Sequence, residues 1–198
     1  MAYPTVSAPY GLKPINLYGG TPFAGATRQY RIASAYNTSI FYGDVVEMIN
    51  DGTIIKSAIT SARATVTTSQ VIGVFLGCSY VNAQGQTIYQ QYFPASTTAP
   101  TGTVITAYVA DDPDTLFKVA VVSGTTVIAG VGRAVIGSNM SLVQNAGSTT
   151  TGDSKVAVLS SSAATTNTLP IRVVDVVPDT ATGADTYVEL IVKWNWGM

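Results

Sequence analysis

Histidine is absent from this 198-residue sequence. That absence excludes Ser-His-Asp and Cys-His nucleophilic machinery and any zinc site built on imidazole. Cysteine occurs once, as Cys78, so no intrachain disulfide can form, which suits folding in a reducing cytoplasm. Cys78 sits in the apolar run GVFLGCSYV and reads as a small core residue rather than a nucleophile. Charge is scarce: Asp, Glu, Lys and Arg make up 11% of the chain, against about 25% in an average soluble domain. Lys+Arg is 10 and Asp+Glu is 11, for a net charge of −1. A surface so poor in charge favours association, so much of it is expected to be covered by other subunits.

Further absences narrow the function. The basic residues are scattered singly, so the footprint of a nucleic-acid partner is missing. No apolar run approaches the roughly 20 residues that cross a bilayer, which argues against a membrane partner. There is no phosphate-binding loop; Gly130-Val131-Gly132 lacks the third glycine of a dinucleotide fingerprint and lies in β context. The opening MAYPTVSAPYG has neither the positive region nor the apolar region of a secretory signal, so assembly in the cytoplasm is expected. Nothing calls for a cofactor, a metal or a small-molecule substrate, and the expectation is a chain that is not an enzyme.

What is present is β pattern. Short runs rich in Val, Ile, Thr and Tyr alternate with Gly, Asn, Asp, Ser and Pro, which predicts an all-β fold. The expected architecture is a single antiparallel β-barrel or β-sandwich domain over 28–198 with an extended N-terminal arm over 1–27. Predicted strands cover 28–33, 44–49, 53–59, 70–81, 87–93, 103–110, 115–122, 133–143, 170–177 and 187–195. Asn50-Asp51-Gly52 has the residues of a tight hairpin, and residues 82–86 those of a longer one. Gly73 and Gly77 interrupt a long apolar strand, as at bulges. Residues 145–169, dominated by Ser, Thr, Ala and Gly, read as a long loop with one short turn of structure at 155–159.

The first 27 residues differ, with four prolines, four glycines and three tyrosines. Proline fixes φ and donates no amide hydrogen bond, which disfavours helix and central strand. Yet Tyr10, Leu12, Ile15, Tyr18 and Phe23 are too many large apolar groups for a floppy tail. They are candidate interface residues of an ordered arm, one that could add a strand to a neighbour's open sheet edge. Trp194 and Trp196, in VKWNWGM, are further interface candidates, with a saccharide-stacking platform as the sharper alternative.

Asp111, Asp112 and Asp114 crowd four positions in YVADDPDTLFKV. They fail the spacing of a calcium loop, since Leu116 falls where an oxygen ligand or the invariant glycine belongs. Paired catalytic carboxylates usually flank a cleft from separate elements, whereas these share one segment. A Pro-fixed turn whose Asp side chains accept backbone N–H bonds is the simpler reading. An adventitious or assembly-linked cation stays open as the alternative.

Three segments carry a resemblance. They are APYGLKPINLYGGTPFAGATRQYRI with the following TSIFYGDVV, then YVADDPDTLFKV, then TTGDSKVAVLSSSAATTNTLPIRVVDVVPDTATGADTYVELIVKWN. In that order and spacing the chain resembles a family of virion structural proteins of tailed bacteriophages, of about its own length. Members with an assigned role look like capsid decoration or cement proteins. The resemblance implies a protein on the outer face of the virion capsid, partnered by the major capsid protein and by its own copies as a dimer or trimer. It would bridge neighbouring capsid subunits against the pressure of packaged DNA. The competing expectation is a virion or cell-surface carbohydrate- or receptor-binding module, using the Trp pair or the 145–169 loop. A major shell subunit ranks lower, because no long helical pattern is present.

Overall fold

The computed structural model describes residues 9–61, 69–180 and 188–195. The fold is all-β, in two sheets. The first contains β1 (Lys13–Leu17), β8 (Thr115–Val122), β9 (Asn139–Met140), β10 (Leu142–Val143), β11 (Ala157–Leu159), β12 (Ile171–Val176) and β13 (Glu189–Trp194). The second contains β2 (Arg28–Ile32), β3 (Val45–Ile49), β4 (Ile54–Lys56), β5 (Ser69–Val81), β6 (Thr87–Gln90) and β7 (Ile105–Ala110).

The first sheet runs β10-β11-β8-β13-β12-β9, with β1 also paired to β8. Its two outermost strands, β9 and β10, are consecutive in the chain and separated only by Ser141. One short extended segment thus pairs with β12 through Met140 and with β11 through Leu142, and the sheet nearly closes into a barrel. Near closure leaves fewer free edges on which another chain could add a strand. Side chains alternate around it: Phe117 and Val119 of β8 and Leu190, Val192 and Trp194 of β13 point into the core. Glu189, Ile191 and Lys193 share the outer face, as period-2 alternation requires.

The second sheet runs β2-β7-β5-β3-β4, with β6 paired to the far half of β5. A single bridge, Arg31 to Thr53, draws its outer strands β2 and β4 towards each other. The long β5 bulges twice, between the partners of Val46 and Glu47 and again between Phe75 and Gly77. Both irregularities fall at the glycines read as bulge positions. Phe75, Phe93, Ile40, Ile54 and Ile105 fill the core of this sheet. Leu12, Val45, Val74 and Ala110 join the barrel residues in the other core and weld the two sheets together.

Three features depart from expectation. The segment read as an arm is part of the fold over its described length: β1 pairs antiparallel with β8, and Leu12 is fully buried. Pro14 is compatible with this strand because it sits beside a register shift, where a missing N–H costs no regular ladder bond. The 145–169 loop likewise contributes β11 and the buried Val156 and Val158, and β11 pairs parallel with β8 where every other strand pair is antiparallel among the described residues. The predicted strand over 133–143 is a 3-10 turn at Arg133–Val135 followed by β9 and β10, since Gly137 takes a positive φ of 85° that breaks an extended run.

Candidate functional site

The Asp-rich stretch is a corner that carries the chain from β7 in one sheet to β8 in the other. The Asp114 amide donates to Asp112 Oδ1 at 2.8 Å, and the Thr115 amide donates to the Asp112 carbonyl at 3.1 Å. Asp111 faces away from that turn, where its carboxylate meets Arg28 Nε at 3.1 Å and accepts the Tyr30 hydroxyl at 2.8 Å. Asp114 offers its carbonyl to the Tyr18 amide at 2.7 Å. The Asp111 and Asp112 carboxylates thus have different partners, and Asp114 takes part through its backbone, as a turn requires. Among the described residues no group of three or more His, Cys, Asp or Glu is arranged to hold a metal ion.

The candidate interface residues do not form one surface. Leu12 is in the core, and Phe23 packs partly buried against it. Tyr10 lies over the barrel wall and donates to Glu189 Oε1 at 2.5 Å, with Lys13 and Lys118 above its ring. Burial, reinforced by the Glu189 carboxylate, pushes the Tyr10 hydroxyl far above its ordinary value. Ile15 is half-buried. Trp194 is only 2% exposed and meets Phe117 edge-on at 6.2 Å, so it cannot serve as an open stacking platform. Trp196 lies outside the described residues. Among the described members of this group Tyr18 alone is exposed, at 60%, with Lys193 Nζ 4.5 Å from its ring centre.

The structure brings together a different set. An open groove of about 610 Å³ is lined by Lys13, Tyr42, Leu76, Gly77, Cys78, Tyr89, Gln90, Gln91, Tyr108 and Asp153. It lies where the bulge of β5 meets β6, β7 and the start of β1. Tyr42 is fixed by its backbone, which donates to Gly152 at 3.0 Å and accepts from Ser154 at 2.9 Å. Asp153 accepts from Gln91 Nε2 at 3.2 Å and lies 3.6 Å from Lys13 Nζ. Tyr108 shares a 3.1 Å hydrogen bond with Ser79. Gly77 pairs opposite Tyr108 with φ of 147°, and a Cβ there would press on the Gln90 carbonyl at 3.1 Å. Burial, then the Asp153 charge, raises the Tyr42 hydroxyl above its usual value, so it is a donor at neutral pH. Cys78 is buried beneath, with its thiol pushed up to about 12 by desolvation, which leaves it protonated and poorly nucleophilic.

Behind the groove stands a buried charged hub. The Asp44 carboxylate, wholly inaccessible, accepts from the Phe41 amide at 2.8 Å and from Ser154 Oγ at 2.6 Å. Lys56 Nζ lies 3.0 Å from the same carboxylate. This hub braces Tyr42 and Asp153 from within, since each is next to or near one of its members. Sequence reading passed over Tyr42, Tyr89, Tyr108, Gln91 and Asp153. The only local signal was the density of Tyr and Gln in TIYQQYF. Comparison with known proteins returns no matching family model, no matching curated protein and no matching solved structure.

Proposed function

We propose that this chain is a non-enzymatic virion protein that binds the outer surface of a tailed-phage capsid and stabilises the shell by bridging neighbouring capsid subunits. The observation that most supports this reading is that the segments bearing the family resemblance meet one another in space. The Gly11 amide bonds the Val156 carbonyl at 3.2 Å, Leu12 bonds Gly43 at 3.0 Å, and Tyr18 bonds Asp114 at 2.7 Å. Tyr10 reaches Glu189 in the last strand. Residues of the three quoted segments thus sit side by side in one folded unit.

The unit suits a mechanical role. Tyr10 and Leu12 anchor the N-terminal segment in the fold, and the turn after β1 leaves Tyr18 exposed. A ligand that binds the assembled shell but not its dissociated subunits stabilises the shell by mass action. On this reading the partners are the major capsid protein and further copies of the chain, and the site of action is the virion surface.

The test is co-sedimentation with capsids that lack the protein. Deleting residues 1–27 is unsuitable, because it removes Leu12 from the core; Tyr18→Arg leaves the core intact. The expected result is saturation of the shell by the intact chain at a fixed copy ratio and weakened binding by Tyr18→Arg. An intact, folded chain that stays in the supernatant would end the capsid reading.

A further inference from the structure

We propose that the groove bounded by Tyr42, Tyr89 and Tyr108 is a binding site for a neutral oligosaccharide. The inference is independent of the capsid reading, and it uses different residues from the Trp194/Trp196 platform considered above.

The first argument is the lining. Three tyrosines supply flat rings with hydroxyls, and the amides of Gln90, which accepts from Tyr80 at 3.1 Å, and Gln91, which donates to Asp153 at 3.2 Å, keep further donor and acceptor capacity. Sugar rings present the complementary surface, with apolar C–H faces and a rim of hydroxyls. Tyr89 makes the case most directly. It is 73% exposed on the short strand β6, where its ring packs no core and stands free at the groove. Aromatic residues that are amphipathic and stiff give large contact area at low entropic cost.

Charge selects the ligand class. The groove contains one cation and one anion, Lys13 and Asp153, and they face each other at 3.6 Å. Their fields largely cancel, so no phosphate, carboxylate or polyanion finds an unmatched positive centre there. What remains is hydrogen-bonding capacity without net charge, which fits a neutral polyhydroxylated chain.

Shape and rigidity agree. The volume of about 610 Å³ falls within the roughly 300–1,000 Å³ of ligand sites, and the groove is open, so an extended chain can lie along it. Asp153, Tyr42 and Tyr108 are each held by hydrogen bonds already formed, which lowers the ordering cost of binding. Gly77 keeps the floor clear between β6 and β7.

The experiment is calorimetric titration of the full chain with linear hexasaccharides of glucose, mannose, xylose, galactose and N-acetylglucosamine. At least one is expected to bind saturably. Tyr89→Ala should lower that affinity about tenfold or more, and Gln91→Ala should lower it less, with the thermal transition of both variants unchanged. Flat titrations with all five overturn the assignment. So does binding that Tyr89→Ala leaves intact, which would put the saccharide elsewhere on the surface. Co-sedimentation of Tyr89→Ala with capsids reports on the capsid reading separately.

Discussion

The Asp44 carboxylate and the Lys56 ammonium lie 3.0 Å apart, with Asp44 entirely shielded from water and Lys56 partly exposed. Two donors besides the lysine, the Phe41 amide and Ser154 Oγ, complete the carboxylate's hydrogen bonding. The hub therefore joins the β3–β4 hairpin and the turn before it to the segment leading into β11, which is distant in sequence. Removing one partner of a buried, hydrogen-bonded pair leaves an uncompensated charge, at a cost of about 3–5 kcal/mol. Asp44→Ala is expected to lose that much in urea denaturation at neutral pH. A loss below about 1 kcal/mol would mean that Lys56 swings into water and that the hub is a minor brace.

Leu12 distinguishes an integral segment from a removable arm. It is fully buried between the two sheets, so Leu12→Ala removes apolar contact and leaves a cavity. Such substitutions cost about 2–5 kcal/mol. The expected outcome is a lower urea midpoint with the slope of the transition retained. A neutral effect would mean that the N-terminal segment docks without supporting the fold.

Gly73 leaves no room for a side chain beside the end of β7. A Cβ there would lie 2.2 Å from the Ala110 carbonyl oxygen, which is backbone and cannot rotate away. Gly73→Ala should destabilise by about 1–3 kcal/mol or more, through overpacking. Gly85→Ala is the control for conformational strain alone, since Gly85 has φ of 79° but open space around it. The thermal transition of Gly73→Ala should fall further than that of the control.

Alkaline pH should weaken the fold before acid chemistry does anything comparable at Cys78 and Tyr10. Desolvation raises the Cys78 thiol from 9.0 to about 12 and raises the Tyr10 hydroxyl well above 10.0. In both cases the unfolded chain ionises first. The stability they contribute is complete below about pH 9 and falls as pH rises from there through 12. Cys78→Ala and Tyr10→Phe should each flatten the decline in urea stability between pH 9 and 12. Under native conditions near pH 8 the Cys78 thiol should resist alkylation, and unfolding should expose it.

Much of the fold was legible locally. The alternation in Tyr187–Lys193 announced β13, and the glycines at 73 and 77 announced the bulges of β5, because side-chain period and φ restriction act over a few residues. Asp112 declared a turn for the same reason: its carboxylate needs only an amide two residues on. The prolines misdirected the reading of β1, since a proline is excluded from a regular ladder but not from a strand with a register shift beside it. Nothing local marked Asp44 as the centre of a buried hub, because Phe41 is its one near partner while Lys56 comes from β4 and Ser154 from beyond residue 150.

The sequence alone determined that the chain is built of short strands and that imidazole chemistry is impossible, and it favoured a turn for the acidic stretch. These follow from composition and from neighbour-to-neighbour geometry. Only the tertiary structure decided that β9 and β10 nearly close the barrel, that Leu12 belongs to the core and that Trp194 is hidden while Tyr89 is not. It alone gathered Lys13, Tyr42, Tyr89, Tyr108 and Asp153 around one groove. Such convergence depends on which strands pair across long loops, and that choice is made by burial of the whole core rather than by any short run of residues.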